Sequence, residues 1–246
     1  MPPVATLVPD ESDLLCEGCG YTLKGLPAAG NCPECGKTIE SSVGTHRHLT
    51  EFELAPSIRT LALTSSRVLA TPREFYRTLT TRTDTPASIG FLLTHRGLAA
   101  VLFAVAAFGH LLWILDTVMR QSLAEHRFYF WVLVPVVLVL LTYTALAGVT
   151  KLATWLSAIE AKYWGMRLPQ PVVRRGMVFH SAHYLPVSLL AVLIVWGYRF
   201  GRTSGKIPAT MESFYIYTLC AAVIISAIYL FQTYWIAMRN MMYANR

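Results

Sequence analysis

Residues 131–149 read WVLVPVVLVLLTYTALAGV, nineteen positions without a charged side chain. No other feature narrows the fold so far. A helix with no polar face has nothing to present to water, and in hydrocarbon every backbone amide and carbonyl must be satisfied within the segment, which a helix does by itself. Three more runs share this character. The predicted spans are 98–119, 128–150, 179–196 and 214–238, each long enough, at about 1.5 Å per residue, for a hydrocarbon core about 30 Å thick. His180, His183 and Pro186 dilute the start of the third. Composition agrees: 54% of residues are hydrophobic, 14% are charged, and the mean hydropathy is +0.45.

The charge is unevenly spread. Residues 1–53 carry 8 acidic and 3 basic side chains, whereas 54–246 carry 6 and 18, so the net charge of +7 belongs to the apolar part. Lys and Arg flank the spans asymmetrically. Arg73, Arg77, Arg82 and Arg96 precede the first; Lys151, Lys162, Arg167, Arg174 and Arg175 follow the second; Arg239 and Arg246 follow the fourth. These eleven face five on the other side: Arg120, Arg127, Arg199, Arg202 and Lys206. The positive-inside rule then predicts both termini in the cytoplasm of a bacterial inner-membrane protein that passes four times. Aromatic residues fit as belts, with Trp131, Trp196 and Phe214 at the outer boundary and Trp155, Trp164 and Trp235 at the inner one. MPPVATLVPDESD has neither a basic nor an apolar leader region, so the segment after it is expected in a reducing compartment.

That segment is CEGCGYTLKGLPAAGNCPECG, with Cys16-x-x-Cys19 and Cys32-x-x-Cys35 separated by twelve residues. Two residues between cysteines let a tight turn aim both sulfurs at one tetrahedral ion, and the loop is long enough to bring in the second pair from the opposite side. Gly20 and Gly36 follow the pairs and are expected in the left-handed conformation that turns backbone amides toward sulfur. Two disulfides do not suit a reducing compartment. Iron in a rubredoxin-like site uses the same ligands; general usage favours one structural zinc held by Cys16, Cys19, Cys32 and Cys35. Four protein ligands leave no position for water, so the metal should hold the fold without catalysing.

The fold class expected is therefore an all-α membrane bundle of about four transmembrane helices, with amphipathic interfacial helices and a small N-terminal zinc ribbon. The domains expected are a flexible terminus (1–12), the ribbon (13–42), a linker with basic amphipathic helices (43–85) and the bundle (86–246), in which residues 86–97 either extend the first span or stand apart from it. In APSIRTLALTSSRVLA, Ile58, Leu61, Ala62, Val68 and Leu69 fall near one helical face. TPREFYRTL offers Thr71 as N-cap, Pro72 at the first helical position and Glu74 for a capping box, and Thr85-Pro86 is a second start. Phe75, Leu79, Ile89 and Phe91 are apolar between free arginines, so these short helices are expected in the inner headgroup layer. Leu152, Trp155, Leu156, Ile159 and Tyr163 continue a stripe beyond the second span, with Gly165 as its C-cap.

Polar groups inside spans are few. His110 lies near mid-membrane and motivates an alternative reading as a small transporter or channel. Asp116 is expected to pair with Arg199 or Arg120. His180 and His183, with Glu160, could hold a catalytic metal, but the spacing is not that of hydrolytic zinc helices, and a polar cluster with Gln232 or Thr233 is the stronger expectation. Haem between His110 and His183 fails on depth. Cys220 reads as a small buried hydrophobe. No glycine loop for phosphates and no nucleophile motif occur, and no catalytic residue is assigned. The acidity of residues 10–40 argues against nucleic acid.

The pattern C-x-x-C-G-Y-x-L-x-G-L-P before C-P-x-C-G, matched over about twenty residues at 16–36, resembles the N-terminal ribbon of a group of bacterial zinc-ribbon membrane proteins of unassigned function. TPREFYRTL followed by several spans is similar to the Yip family of polytopic membrane proteins. That family's glycine-rich segment after the second span is replaced here by MRLPQPVVRRG. The resemblance implies a non-enzymatic role in membrane organisation or protein recruitment. The expected function is an integral membrane scaffold, adaptor or accessory subunit whose cytoplasmic ribbon docks; its partners are the lipid bilayer, other proteins and copies of itself or a larger complex.

Overall fold

A computed structural model describes residues 14–42, 47–81, 85–118, 128–163 and 170–244. The expectations for the 1–12 terminus, Arg82, Arg120, Arg127, Trp164, Gly165, Arg167 and Arg246 lie outside these residues. Regular structure among the described residues is helical: α1 (Glu51–Leu54), α2 (Ile58–Ala70), α3 (Pro72–Thr78), α4 (Pro86–Trp113), α5 (Phe128–Tyr163), α6 (Gln170–His180), α7 (Tyr184–Thr203) and α8 (Glu212–Met241). Four segments are long and apolar enough to cross a membrane, Pro86–Thr117, Phe130–Glu160, Gln170–Thr203 and Glu212–Met241. The fold class is thus an all-α membrane bundle with a four-cysteine cluster near the N-terminus.

Two of these segments start well before their expected bounds. α4 starts at Pro86, because proline gives up no helical hydrogen bond at a first position and the Thr85 hydroxyl accepts the Ser88 amide at 3.0 Å. Residues 86–97 therefore extend the first apolar helix instead of forming a separate short one. The third begins at Gln170, not Phe179, and is broken by a single 3₁₀ turn at Ser181–His183 between α6 and α7. α5 runs through to Tyr163, carrying its stripe past the apolar run as expected.

The chain forms two compact units. One is Leu92–Leu152 with Ser181–Thr233. Its helices approach closely at Gly109, where a Cβ would lie 2.8 Å from Val195 Cγ1; the Trp196 indole crosses there and donates to the Val105 carbonyl at 3.0 Å. Small residues at such crossings let backbones gain dispersion and interhelical hydrogen bonds, the main attraction available when solvent is as apolar as the side chains. The Thr142 hydroxyl likewise donates to the Ala100 carbonyl at 2.9 Å. At one end Trp113, Tyr198 and Tyr215 form an aromatic core, with the tyrosine rings stacked at 4.2 Å. Leu133, Leu140, Leu193 and Val223 are exposed, as hydrocarbon-facing positions should be.

The other unit is Met1–Phe91, Ala153–His180 and Tyr234–Arg246. Its core is a run of aromatic contacts, Phe52 to Phe91 and Phe179 to Phe75 edge-on at 5.9 and 5.3 Å and Phe91 to Phe179 tilted at 5.1 Å. Beside them lies an ion pair removed from solvent. Arg175 and Glu53 meet at 2.8 Å with side chains 1% and 0% exposed; Arg175 also donates to the Thr80 carbonyl, and Glu53 accepts from the Thr85 hydroxyl and the Thr50 amide. By sequence Arg175 is one of the five cations that follow the second span, and the fold buries it.

The amphipathic pattern of α2 is also corrected. Its buried positions are Thr64 and Val68, with Leu61 half-buried, whereas Ile58, Ala62 and Leu69 face out, because Thr64 accepts the Phe52 amide and turns that face inward. Phe75, Leu79 and Phe91 are buried as apolar positions should be, but Ile89 is half-exposed on α4. The expected capping box at Thr71 does not form. Thr71 is already the last residue capping α2, with φ −130 and ψ 54, and its hydroxyl donates back to the Arg67 carbonyl. Complete capping boxes stand instead at Thr50 with Glu53 and Ser57 with Thr60.

Candidate metal centre

The ribbon is built from one turn used twice. In the first, the Cys16 amide donates to the Tyr21 carbonyl and the Gly20 amide to the Cys16 carbonyl, both at 2.8 Å; in the second, Cys32 donates to Lys37 at 2.7 Å and Gly36 to Cys32 at 2.9 Å. Each turn is closed by one antiparallel bridge, Leu15 to Thr22 and Asn31 to Thr38. Gly20 and Gly36 have φ of +79 and +71, the conformation their position after each cysteine pair led us to expect. Leu23 and Ile39, fully buried, pack with Cys16 and Cys32 into a small core that closes the loop behind the sulfurs.

The four sulfurs lie within 4.8 Å of one another, with Cys16 to Cys35 at 3.5 Å and Cys19 to Cys32 at 3.6 Å. A disulfide needs about 2.05 Å, so the cysteines are free thiols. Tetrahedral zinc at about 2.3 Å from each sulfur requires edges of about 3.8 Å, and the cluster fits that ion with little adjustment. Among the described residues this is the one place where three or more His, Cys, Asp or Glu ligand atoms converge. Burial raises the Cys16 thiol, but the Gly18 and Cys19 amides and the neighbouring thiols outweigh it and bring Cys16 down to about 7. Burial pushes Cys19 up to about 12. Of these two thiols, Cys16 is the more acidic.

The ribbon is seated on the rest of its unit by groups that no local pattern announces. Glu17, inside the first turn, receives two bonds from Arg47, at 2.8 and 3.0 Å. The same guanidinium donates to the carbonyls of Tyr76 and Leu79 in and after α3 and of Asn240 in α8, and its side chain is only 4% exposed. One buried cation thus joins ribbon, α3 and the end of α8. Gly20 adds a second contact: the Tyr243 ring sits 2.5 Å from where a Cβ would be, so glycine is required there for space as well as for φ.

The other candidates fall apart as metal sites. His180 lies edge-on to Tyr234 at 6.5 Å between ring centres, and His183 Nδ1 shares a 2.7 Å hydrogen bond with the Tyr229 hydroxyl. Tyr229 thus joins His183 in the polar group on α8, and the Thr233 hydroxyl donates to the Tyr229 carbonyl of its own helix. His110 stacks on Trp113 and bonds the Tyr215 hydroxyl at 2.8 Å, set into the aromatic core. Asp116 is exposed and, among the described residues, in no ion pair; Arg199 lies over the Trp196 ring one turn earlier in its own helix. Cys220 faces outward on α8, not into a core. Compared with family models, curated proteins and solved structures, the chain matches none.

Proposed function

We propose that this protein is a four-pass inner-membrane scaffold or accessory subunit, with both termini cytoplasmic and a single structural zinc in the Cys16, Cys19, Cys32, Cys35 site. The observation that carries this reading is the seating of the ribbon. A metal site that is closed, rigid and clamped by Arg47 to the end of α8 presents a fixed surface, and four thiolates leave no position for a substrate. The aromatic packing of His110 speaks for structure over transport. The similarity of the ribbon to bacterial zinc-ribbon membrane proteins, and of the membrane part to the Yip family, belongs to the same reading: recruitment or organisation without catalysis.

Metal analysis of the purified full chain should give one zinc per chain, and Cys16→Ser with Cys32→Ser should give none while the protein stays in the membrane fraction. Chemical crosslinking in mild detergent should capture a set of proteins with wild type that this variant loses. Stoichiometric zinc in the variant, or an unchanged crosslinked set, refutes the docking role.

A further inference from the structure

A cleft of about 830 Å³ opens beside the ribbon, walled by its first turn and by Lys37, by α3 and by the last turns of α8. Five cations line it: Lys37, Arg47, Arg73, Arg77 and Arg239. Its one carboxylate, Glu17, is held by Arg47. Lys37, Arg73, Arg77 and Arg239 are exposed and, among the described residues, in no ion pair; Arg77 is aimed by a 3.1 Å bond to the Asn240 side chain, and Lys37 is laid across Gly18. Four like charges gathered into one concave space raise the positive potential there and concentrate anions in it. Three are arginines, whose planar forks match phosphate oxygens in pairs.

Position narrows the source of the phosphate. α8 has 30 residues, about 45 Å at 1.5 Å each, which is longer than the hydrocarbon core by several turns. Its last turns therefore reach headgroup level, where Trp235, which also lines the cleft, is the residue type expected. Ile236 and Met242 add apolar surface to the same wall. We infer that this cleft binds the phosphate of an anionic phospholipid headgroup, with Arg73, Arg77 and Arg239 as its ligands and the metal-held turn of the ribbon as one wall. The inference rests on the proposed membrane placement of α8, but not on which side of the membrane the termini occupy.

The test is a native mass spectrometry titration of the full chain in detergent with phosphatidylglycerol, with phosphatidylcholine, and with phosphatidylglycerol in excess inorganic phosphate. Wild type should retain phosphatidylglycerol over phosphatidylcholine. Arg73→Gln with Arg77→Gln and Arg239→Gln should weaken phosphatidylglycerol roughly 100-fold, from about fivefold per arginine. Arg59→Gln, a comparably exposed arginine on α2 outside the cleft, should change nothing. Equal retention by the triple variant, or equal losses from Arg59→Gln and Arg77→Gln alone, overturns the site; displacement by inorganic phosphate with no lipid preference overturns the lipid assignment. Zinc content is read on every variant, so a collapsed ribbon is distinguished from a lost headgroup contact, and failure of the zinc reading leaves the lipid result interpretable.

Discussion

At the scale of single residues, the two arginines that matter most are those whose charge is hidden. Arg47 and Arg175 each hold a carboxylate and satisfy backbone carbonyls in nearly complete burial. Removing one partner strands the other, so Arg47→Ala should destabilise the ribbon's seat by about 3 to 5 kcal/mol, seen as faster hydrogen exchange over residues 14–42. Arg175→Met alone should cost a similar amount in thermal unfolding followed by tryptophan fluorescence. Pairing it with Glu53→Leu should recover most of that loss, leaving about 1 kcal/mol for the cap that Glu53 also provides to α1. If the double variant is no better than the single one, the pair is not what holds this core. Neither arginine could be told from a surface cation by composition. Glu17 lies 30 positions from Arg47 and Glu53 lies 122 from Arg175, and no local pattern spans such distances.

At the scale of elements, apolar runs and punctuation were legible and register was not. Pro86 and Thr85 marked the start of α4 because their chemistry is local: a missing donor and a hydroxyl acceptor. Thr71 carried the same signature and did not cap, since the chain had already committed it to ending α2. Thr50→Ala should therefore cost about 1 kcal/mol and Thr71→Ala only a few tenths, measured by the same thermal unfolding. Gly109 shows the limit on the membrane side. Glycine in a helix has no signature of its own, yet a side chain there meets Val195 and Trp196. Gly109→Leu should destabilise its unit by about 1 to 3 kcal/mol and weaken the bond from Trp196 to Val105, read as a lowered unfolding temperature with a shifted tryptophan emission.

At the scale of the whole molecule, the proposed metal and the hydrocarbon would support different parts. Chelation should raise hydrogen exchange in residues 14–42 while exchange in α4, α5, α7 and α8 stays slow, because those helices satisfy their backbones internally. Metal affinity should rise with pH, since binding releases thiol protons. It should fall more steeply below about 7, where the Cys16 thiol regains its proton and adds one more to be displaced; a competition titration with a zinc indicator checks the slope. The four apolar helices, the convergence of the four cysteines and the two glycine turns could all be read from the chain, because length, hydropathy and thiol spacing act over a few residues. Only the tertiary structure decided where the ribbon sits, which arginines are buried and which open into a charged cleft. Those outcomes depend on groups brought together from opposite ends of the chain, and on whether a carboxylate arrives beside each cation.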